Sequence, residues 1–310
     1  MQKKIVISEF MDPAAVAVLR ASFDVVYDPT FGENRTALLN ELPQAHALIV
    51  RNRTQVNTEL LDCAPALKVV GRLGVGLDNI DQDLCHSRRI AVVPAIGANA
   101  MAVAEYVVSV SMLLLRKFLF ATADVASGRW PRTQLSSGCE SAGKTIAIVG
   151  FGSVGQAVGN LAQGVNIRVI AYDPQLDPAH PSWQSVERFD DLDALFRAAD
   201  IVTLHIPYTR ANANLVDARR LALMKKSAVL INTARGGIVD ESALVQALKT
   251  AMLAGAALDV FTAEPLAAGS VLADCPNLLL TPHIAGVTEE SNVRVSSLIA
   301  QRIAQMLVEP

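Results

Sequence analysis

Charged residues are scarce in this sequence. They make up 18% of its 310 residues and apolar residues make up 51%, whereas an average globular protein has about 25% charged residues. This composition excludes a disordered chain, because disorder combines low hydrophobicity with high charge. The net charge of −3 gives no strongly basic surface, so we expect no nucleic-acid partner. The low content of charged residues also suggests that another subunit covers part of the surface.

Paired cysteines are absent as well. The four cysteines, Cys63, Cys85, Cys139 and Cys275, are widely separated and form no CxxC pair or Cys/His cluster. In a chain of this size, that pattern favours reduced thiols over a disulfide framework or a zinc site. We therefore expect no metal and a cytoplasmic location.

The sequence also lacks a long apolar run. The most apolar stretch, Tyr106–Leu115, is interrupted by Ser109 and Ser111 and falls well short of the about 20 residues that a membrane-spanning helix needs. The N-terminal segment has only a strand-length apolar run before Glu9, which does not fit a secretory signal peptide. We therefore expect no contact with a membrane.

Short β-branched runs alternate with segments of helical spacing along most of the chain. Five strand candidates lie in the first hundred residues, and six more follow residue 144. Alternation of this kind predicts parallel sheets covered by helices on both faces. The chain is also about twice as long as a domain of roughly 150 residues, so two domains are expected. Between the two series, 101–117 is a helix candidate and 121–143 is irregular.

A glycine-rich loop follows the strand candidate at 145–149. Gly150, Gly152 and Gly155 have the GxGxxG spacing, and a helical stretch comes next, as the dinucleotide-binding fingerprint requires. The glycines allow a tight turn, a close approach of the backbone to a pyrophosphate, and close packing of helix on strand. Asp173, at the end of the following strand candidate, can accept hydrogen bonds from the ribose and repel a 2′-phosphate. The motif therefore predicts NAD rather than NADP.

Three charged or titratable residues follow later strand candidates. Arg235, Glu264 and His283 each come just after such a segment, and ligands bind beyond the carboxyl ends of parallel strands. His283 can exchange a hydroxyl proton near neutral pH, Glu264 can orient and stabilise the charged imidazole, and Arg235 can bind a carboxylate through two hydrogen bonds. Together they predict hydride exchange between an alcohol and a carbonyl compound.

These motifs resemble the D-isomer-specific 2-hydroxyacid dehydrogenases, and within that family the short phosphoglycerate dehydrogenases. The similarity covers nearly the whole chain and rests on Gly71–Asp81, the glycine loop with Asp173, Asn232–Glu241, Ala257–Phe261, Glu264-Pro265 and Thr281–Gly286. The resemblance implies two doubly wound parallel-sheet domains: a Rossmann NAD-binding domain at 100–283 and a flavodoxin-like substrate domain formed by 1–99 and 284–310. It also implies that Arg235, Glu264 and His283 are the catalytic residues.

The resemblance further assigns residues to the two ligands. The cofactor-binding set that it implies is Gly150, Gly152, Ser153, Val154, Gly155, Asp173, His205, Pro207, Thr233, Ala234, Asp259, Ala285 and Gly286, with Asp259 near the nicotinamide carboxamide. The substrate-binding set is Arg51, Arg72, Val75, Gly76, Arg132, Arg235 and His283. The N–H groups of Val75 and Gly76 hold the substrate carboxylate in this assignment, and the three additional arginines hold a second anionic group.

The expected reaction is hydride transfer between NAD and a small 2-hydroxy acid or 2-keto acid. Several arginines favour 3-phosphoglycerate or another acid with a second anion. Hydroxypyruvate/glyoxylate reductase and sulfolactate dehydrogenase are the alternatives, and a non-enzymatic NAD-sensing corepressor is a more distant one. The resemblance also implies a homodimer that is held by helix 101–120 and the segment 121–143, with Arg132 reaching the neighbouring subunit's site.

Overall fold

The computed structural model of the chain describes residues 2–118 and 121–308. It divides into two compact units, one formed by Met1–Asn99 with Val287–Pro310 and the other by Ala100–Gly286. The sequence analysis set the second boundary three residues earlier, after His283. Residues 119 and 120, the end of the helix expected at 101–120, lie outside the described residues.

Strands and helices alternate along both units. The strands are β1 (Lys4–Ile7), β2 (Asp24–Tyr27), β3 (Ala45–Val50), β4 (Val69–Arg72), β5 (Ala91–Pro94), β6 (Thr145–Val149), β7 (Arg168–Tyr172), β8 (Glu187–Arg188), β9 (Ile201–Leu204), β10 (Val229–Asn232), β11 (Gly255–Leu258) and β12 (Leu278–Leu280). The helices are α1 (Pro13–Arg20), α2 (Arg35–Glu41), α3 (Thr58–Asp62), α4 (Gln82–Ser87), α5 (Ala100–Arg116), α6 (Thr122–Ala126), α7 (Arg132–Leu135), α8 (Ser153–Gly164), α9 (Leu192–Ala198), α10 (Ala218–Leu223), α11 (Glu241–Lys249) and α12 (Glu289–Val308).

The first unit is built on a five-stranded sheet with the order β2-β1-β3-β4-β5. All of its strand pairs are parallel. Its helices begin at polar residues that accept backbone N–H groups, such as Asp12 before α1 and Asp81 before α4. The last helix, α12, returns to this sheet. It packs so closely that a β-carbon at Gly71 would lie 2.8 Å from Ile299.

The second unit is built on a seven-stranded parallel sheet with the order β12-β11-β10-β9-β6-β7-β8. Its central strands β6, β9, β10 and β11 are buried along their whole length, as expected when helices cover both faces. The sequence did not indicate the two-residue strand β8, nor the short helices α6 and α7 in the segment expected to be irregular.

Both sheets have the strand orders of doubly wound folds. The first has the flavodoxin-like order, and the second has the dinucleotide-binding order with an added edge strand. The predicted fold class is therefore confirmed. Each order reverses once, between β1 and β3 in the first sheet and between β6 and β9 in the second, and such a reversal opens a ligand crevice beyond the strand ends. Across residues 2–118 and 121–308, no helix has the length and apolar character to cross a membrane.

Candidate active site

The glycine loop lies at the reversal point of the second sheet, between β6 and α8. Gly150 has a φ of 90°, and a β-carbon there would lie 2.5 Å from the carbonyl oxygen of His205. A β-carbon at Gly155 would lie 2.2 Å from the carbonyl oxygen of Gly150. Main-chain atoms cannot move aside as a side chain can, so both positions require glycine. This packing brings the start of α8 close against the end of β6.

Gly152 differs from its two neighbours in the motif. A β-carbon there would meet nothing within 4 Å, and its φ of −73° suits any residue. It precedes α8, whose first N–H groups receive no side-chain cap in the part of the chain that the structure describes. Exposed N–H groups at a helix start bind phosphate. The open space at Gly152 therefore fits a pyrophosphate, and Ser153 and Val154 begin the helix beside it.

Asp173 follows β7 and is held rigidly. Its Oδ2 accepts the N–H of Phe151 at 2.8 Å, and its Oδ1 accepts the N–H groups of Gln175 and Leu176 at 2.9 and 3.2 Å. The first of these bonds ties the carboxylate directly to the glycine loop. A fixed negative charge at this position suits a ribose diol and opposes a 2′-phosphate.

Two further polar groups of the second unit face the same strand ends. His205 follows β9, donates its N–H to Val149 O at 2.7 Å and has its Nε2 3.0 Å from Thr203 Oγ1. Burial lowers the pKa of His205 to about 3, so its ring is neutral at pH 7. After β10, the buried Oγ1 of Thr233 has no hydrogen-bond partner among the described residues. Such an atom fits a ligand that supplies the missing bond.

His283 and Glu264 form the hydrogen-bonded pair that the sequence predicts. His283 Nδ1 lies 2.7 Å from Glu264 Oε2, and Glu264 Oε1 accepts the N–H of Phe261 at 3.0 Å. Both side chains are partly open to solvent. Because the carboxylate engages Nδ1, Nε2 is the nitrogen that can exchange a proton with a substrate. His283 has a φ of 57°, a left-handed conformation that its surroundings must stabilise.

The buried carboxylate of Asp259 holds the loop that carries His283. It accepts Thr281 Oγ1 at 2.6 Å and the N–H groups of Ile284 and Ala285 at 2.8 Å each. These bonds span both sides of His283, so they stabilise its left-handed turn. Sequence reasoning assigned Asp259 and Ala285 only to the cofactor and missed this bond between them. A contact of either residue with a cofactor remains a prediction.

Arg235 stands on a tight turn after β10. Asn232 shapes this turn, since its Oδ1 accepts the N–H of Ala234 at 3.0 Å and its Nδ2 donates to Arg235 O at 2.9 Å. The Arg235 guanidinium donates to Ala234 O at 2.6 Å. The strands β10, β11 and β12 are neighbours, so Arg235, Glu264 and His283 all follow adjacent strands at one edge of the sheet.

The first unit carries two more of the predicted arginines, Arg51 and Arg72. Arg51 follows β3, donates from Nη2 to Asn292 Oδ1 at 2.9 Å and lies 6.0 Å from the centre of the Phe10 ring. Arg72 ends β4 and donates to Leu73 O at 3.0 Å. The nearby Arg53 forms an ion pair with Glu33. Arg51 and Arg72 therefore stand at the ends of neighbouring strands.

Sequence reasoning missed Glu9, which lies just beyond β1. This carboxylate is 4% exposed and accepts the N–H groups of Arg51, Asn52, Arg53 and Thr54 at 2.8 to 3.1 Å. Burial alone would raise the pKa of Glu9, but the four hydrogen bonds outweigh burial and lower it. A carboxylate directly after a buried strand was the signal that could have indicated it.

The remaining predicted substrate contacts lie on loops. The N–H groups of Val75 and Gly76 meet no acceptor within the described ranges, so they can bind an anion. Arg132 is exposed at the start of α7. Residues 2–118 and 121–308 contain no cluster of histidine, cysteine, aspartate and glutamate that could hold a metal ion.

A dinucleotide-binding oxidoreductase is the class of protein that this fold and these strand-end residues define. The family model of the D-isomer specific 2-hydroxyacid dehydrogenase NAD-binding domain matches residues 108–285. The chain belongs to this family, as the sequence analysis predicted, and it is an NAD-dependent oxidoreductase.

Individual relatives agree with this assignment. The chain is 47% identical to (S)-sulfolactate dehydrogenase of Chromohalobacter salexigens over 303 residues, which are 98% of each chain. It is 38% identical to D-3-phosphoglycerate dehydrogenase of Synechocystis sp. over 98% of its own length but only 54% of the relative's. The chain thus spans about half of that relative. A crystal structure of a protein from Thermus thermophilus has a TM-score of 0.86 and 30% identity, and the match covers 98% of this chain and 97% of the other.

Proposed function

We propose that this dehydrogenase interconverts a three-carbon 2-hydroxy acid that has a second anionic group on C3 and the corresponding 2-keto acid. The observation that carries the proposal is the guanidinium of Arg51, which is half-buried beyond β3 and held by the neutral side chain of Asn292. A half-buried cation with a neutral hydrogen-bond partner favours an anionic ligand. Glyoxylate and hydroxypyruvate have no second charge for it.

Each catalytic residue has one role in this proposal. When bound, NAD⁺ would supply the acceptor for the hydride that leaves C2 of the hydroxy acid. His283 takes the hydroxyl proton at Nε2 and returns it in the reverse direction, and Glu264 orients the ring through Nδ1. Arg235 binds the C1 carboxylate, since a guanidinium matches a carboxylate with two parallel hydrogen bonds. In the first unit, the N–H groups of Val75 and Gly76 are the proposed carboxylate donors.

The cofactor is held by groups that fit its parts one by one. The free space at Gly152 and the first N–H groups of α8 take the pyrophosphate. Asp173 binds the ribose diol, and Thr233 Oγ1 gains a partner. The remaining residues proposed to contact the cofactor at these strand ends are His205, Pro207, Ala234, Ala285 and Gly286.

The second anion is a sulfonate in our preferred form of the proposal. The 47% identical relative is named for (S)-sulfolactate, and the match covers 98% of both chains. Its configuration label is consistent with a D-specific family, because sulfur on C3 outranks the carboxyl group. The S label therefore describes the spatial arrangement that is labelled R in D-3-phosphoglycerate.

We also propose a homodimer. Phe118, Val125 and Trp130 are exposed by 51%, 47% and 76%, although all three are large apolar side chains. An apolar surface of this kind favours a protein interface. A second copy that covers them would also allow Arg132 to reach the neighbouring site. Sedimentation of the wild type and of Trp130→Glu tests this part of the proposal, which fails if both sediment as monomers.

The deciding experiment follows NADH oxidation with five keto acids. Sulfopyruvate, phosphohydroxypyruvate and oxaloacetate have a second anion, and hydroxypyruvate and glyoxylate do not. We expect kcat/KM to be more than tenfold higher for the best of the first three, which corresponds to about 1.4 kcal/mol of transition-state discrimination. His283→Ala is the inactive control.

The other outcomes each indicate a different function. A preference for hydroxypyruvate or glyoxylate would indicate a reductase of keto acids that have no second charged group. Binding of NADH without turnover of any keto acid favours a non-enzymatic NAD sensor. Arg51→Ala provides a second check, because the proposal requires it to remove the preference for a second anion.

A further inference from the structure

Arg51 and Glu9 meet at the point where the strand order of the first sheet reverses. Glu9 follows β1 and Arg51 follows β3, and these strands are neighbours in the order β2-β1-β3-β4-β5. The connections leave the sheet in opposite directions there, so the space beyond the strand ends is a natural ligand crevice. A ligand in this crevice meets the loop that starts at Arg51.

Glu9 fixes the main chain of that loop. Its two oxygens accept four consecutive N–H groups, from Arg51 to Thr54. Around it, Ser8 Oγ lies 2.8 Å from Thr54 Oγ1, and Asn79 Nδ2 donates to Thr54 O at 2.7 Å. These partners are all buried. These hydrogen bonds hold the main chain of the loop and thereby fix the position from which the Arg51 side chain extends.

Asn292 fixes the other end of the Arg51 side chain. It lies in the first turn of α12 and accepts from Nη2 at 2.9 Å, while the Phe10 ring lies 6.0 Å from the guanidinium carbon. The amide is a neutral acceptor, so it orients the guanidinium without compensating its charge. Glu9 attracts the guanidinium electrostatically, but burial outweighs this attraction and lowers the pKa of Arg51. The Glu9 oxygens accept the four backbone N–H groups and form no hydrogen bond with the Arg51 side chain within the described residues. The cation thus remains available to an incoming anion.

We propose that Glu9 and Asn292 are positioning residues that set the Arg51 guanidinium for the substrate's second anion and thereby determine the preference for doubly anionic acids. The inference rests on the proposed function. The new part is that substrate specificity depends on two residues that need not touch the substrate. An amide at 292 favours substrates with a second anion, and a carboxylate there would occupy the guanidinium itself.

The test is the variant Asn292→Asp, compared with Gln301→Glu. The first replaces the amide by a carboxylate of the same size. The second adds the same charge to the same helix at an exposed position. The quantity measured is the ratio of kcat/KM for sulfopyruvate to kcat/KM for glyoxylate, in which a general loss of active enzyme cancels. We expect Asn292→Asp to lower this ratio at least tenfold, chiefly through a higher KM for sulfopyruvate, and Gln301→Glu to keep it within twofold.

The outcomes separate this inference from the proposed function. A wild type that prefers sulfopyruvate, with a ratio unchanged in Asn292→Asp, overturns the positioning role alone. An equal fall in both variants also overturns it, because helix charge would then be the cause. A wild type with no preference for any doubly anionic acid overturns the proposed function and this inference with it. Glu9→Gln is an independent test, because it weakens the hydrogen bonds that hold the loop Arg51–Thr54. We expect the folded variant to show the same fall in the ratio of the two kcat/KM values.

Discussion

The main chain of Gly236 lies directly against the carbonyl group of Phe261. A β-carbon at Gly236 would be 1.8 Å from that oxygen, closer than any real contact of this kind. Gly236 follows Arg235, and the N–H of Phe261 donates to Glu264. Glu241 supports the same junction, since its Oε1 accepts both the N–H and the hydroxyl of Thr262 at 2.8 and 2.9 Å. The contact thus links the turn that carries Arg235 to the segment that orients His283, the residues proposed to bind the substrate and to exchange its proton.

Gly236→Ala should therefore lower both stability and activity. The new methyl group must push the two loops apart, and overpacking of this kind costs about 1–3 kcal/mol. Displacement of catalytic groups by about 1 Å can lower the rate about 100-fold. Thermal unfolding and NADH oxidation measure the two effects. Gly164→Ala is the matched control, since a β-carbon there meets nothing within 4 Å. Full activity of Gly236→Ala would show that the contact does not hold the loops.

Gly152→Ala should separate cofactor binding from folding. A β-carbon at Gly152 enters open space and the backbone conformation suits alanine, so we expect the free energy of unfolding to change by less than about 0.5 kcal/mol. The same methyl group would occupy the place proposed for the pyrophosphate, so the Kd for NADH should rise at least tenfold, or about 1.4 kcal/mol. Titration of NADH fluorescence measures this. Unchanged affinity would argue against a pyrophosphate at Gly152.

His205 should make the protein less stable in mild acid. Its pKa is about 3 in the folded protein and about 6.5 in an unfolded chain. The unfolded state therefore binds the proton first, and stability is complete above pH 6.5 and falls as the pH decreases toward 3. Glutamine at position 205 cannot titrate. The free energy of unfolding of His205→Gln should therefore fall by about 2 kcal/mol less than that of the wild type between pH 7 and pH 5. Urea unfolding at both pH values gives the comparison, and equal losses of stability in the two proteins would contradict the lowered pKa of His205.

The parts of the site that the sequence revealed are those determined by local constraints. Gly155 is required by a contact within one strand-turn-helix unit, and Gly150 by its φ of 90° in the same turn, so a short motif carries the information. Arg235, Glu264 and His283 were identifiable because each follows a strand of the second sheet and the carboxyl ends of parallel strands share one edge. The two sheets could be predicted for the same reason, since alternation along the chain determines a doubly wound fold.

The remaining features depend on hydrogen bonds between distant segments. Glu9 binds N–H groups 42 to 45 positions away, and Thr281 binds Asp259 across 22 positions. No periodicity or motif encodes such a partner. For the same reason, the sequence did not indicate the ion pair of Arg53 with Glu33. The strand β8 has only two residues, too few for an alternating pattern to be recognised.

Tyr106 lies in helix α5, but we expect it to stabilise the loop that carries His283. Its hydroxyl is 2.6 Å from Thr281 Oγ1, which donates its only proton to Asp259 Oδ1 at 2.6 Å. Tyr106 must therefore be the donor to Thr281. Burial raises the pKa of Tyr106, the Thr281 bond opposes this and Asp259 adds to it, so the phenol keeps its proton at any working pH.

Tyr106→Phe removes the first bond of this chain and should cost about 1 kcal/mol of stability. Because Thr281 and Asp259 hold the turn at His283, we also expect kcat to fall several-fold. Thr281→Val should have a larger effect, since Asp259 then loses its hydroxyl donor, and Thr281→Ser should retain most of the activity because it keeps the hydroxyl. Thermal unfolding and steady-state rates of the three variants measure this order. If Thr281→Ser is as impaired as Thr281→Val, the methyl packing of Thr281 rather than its hydrogen bonds holds the loop.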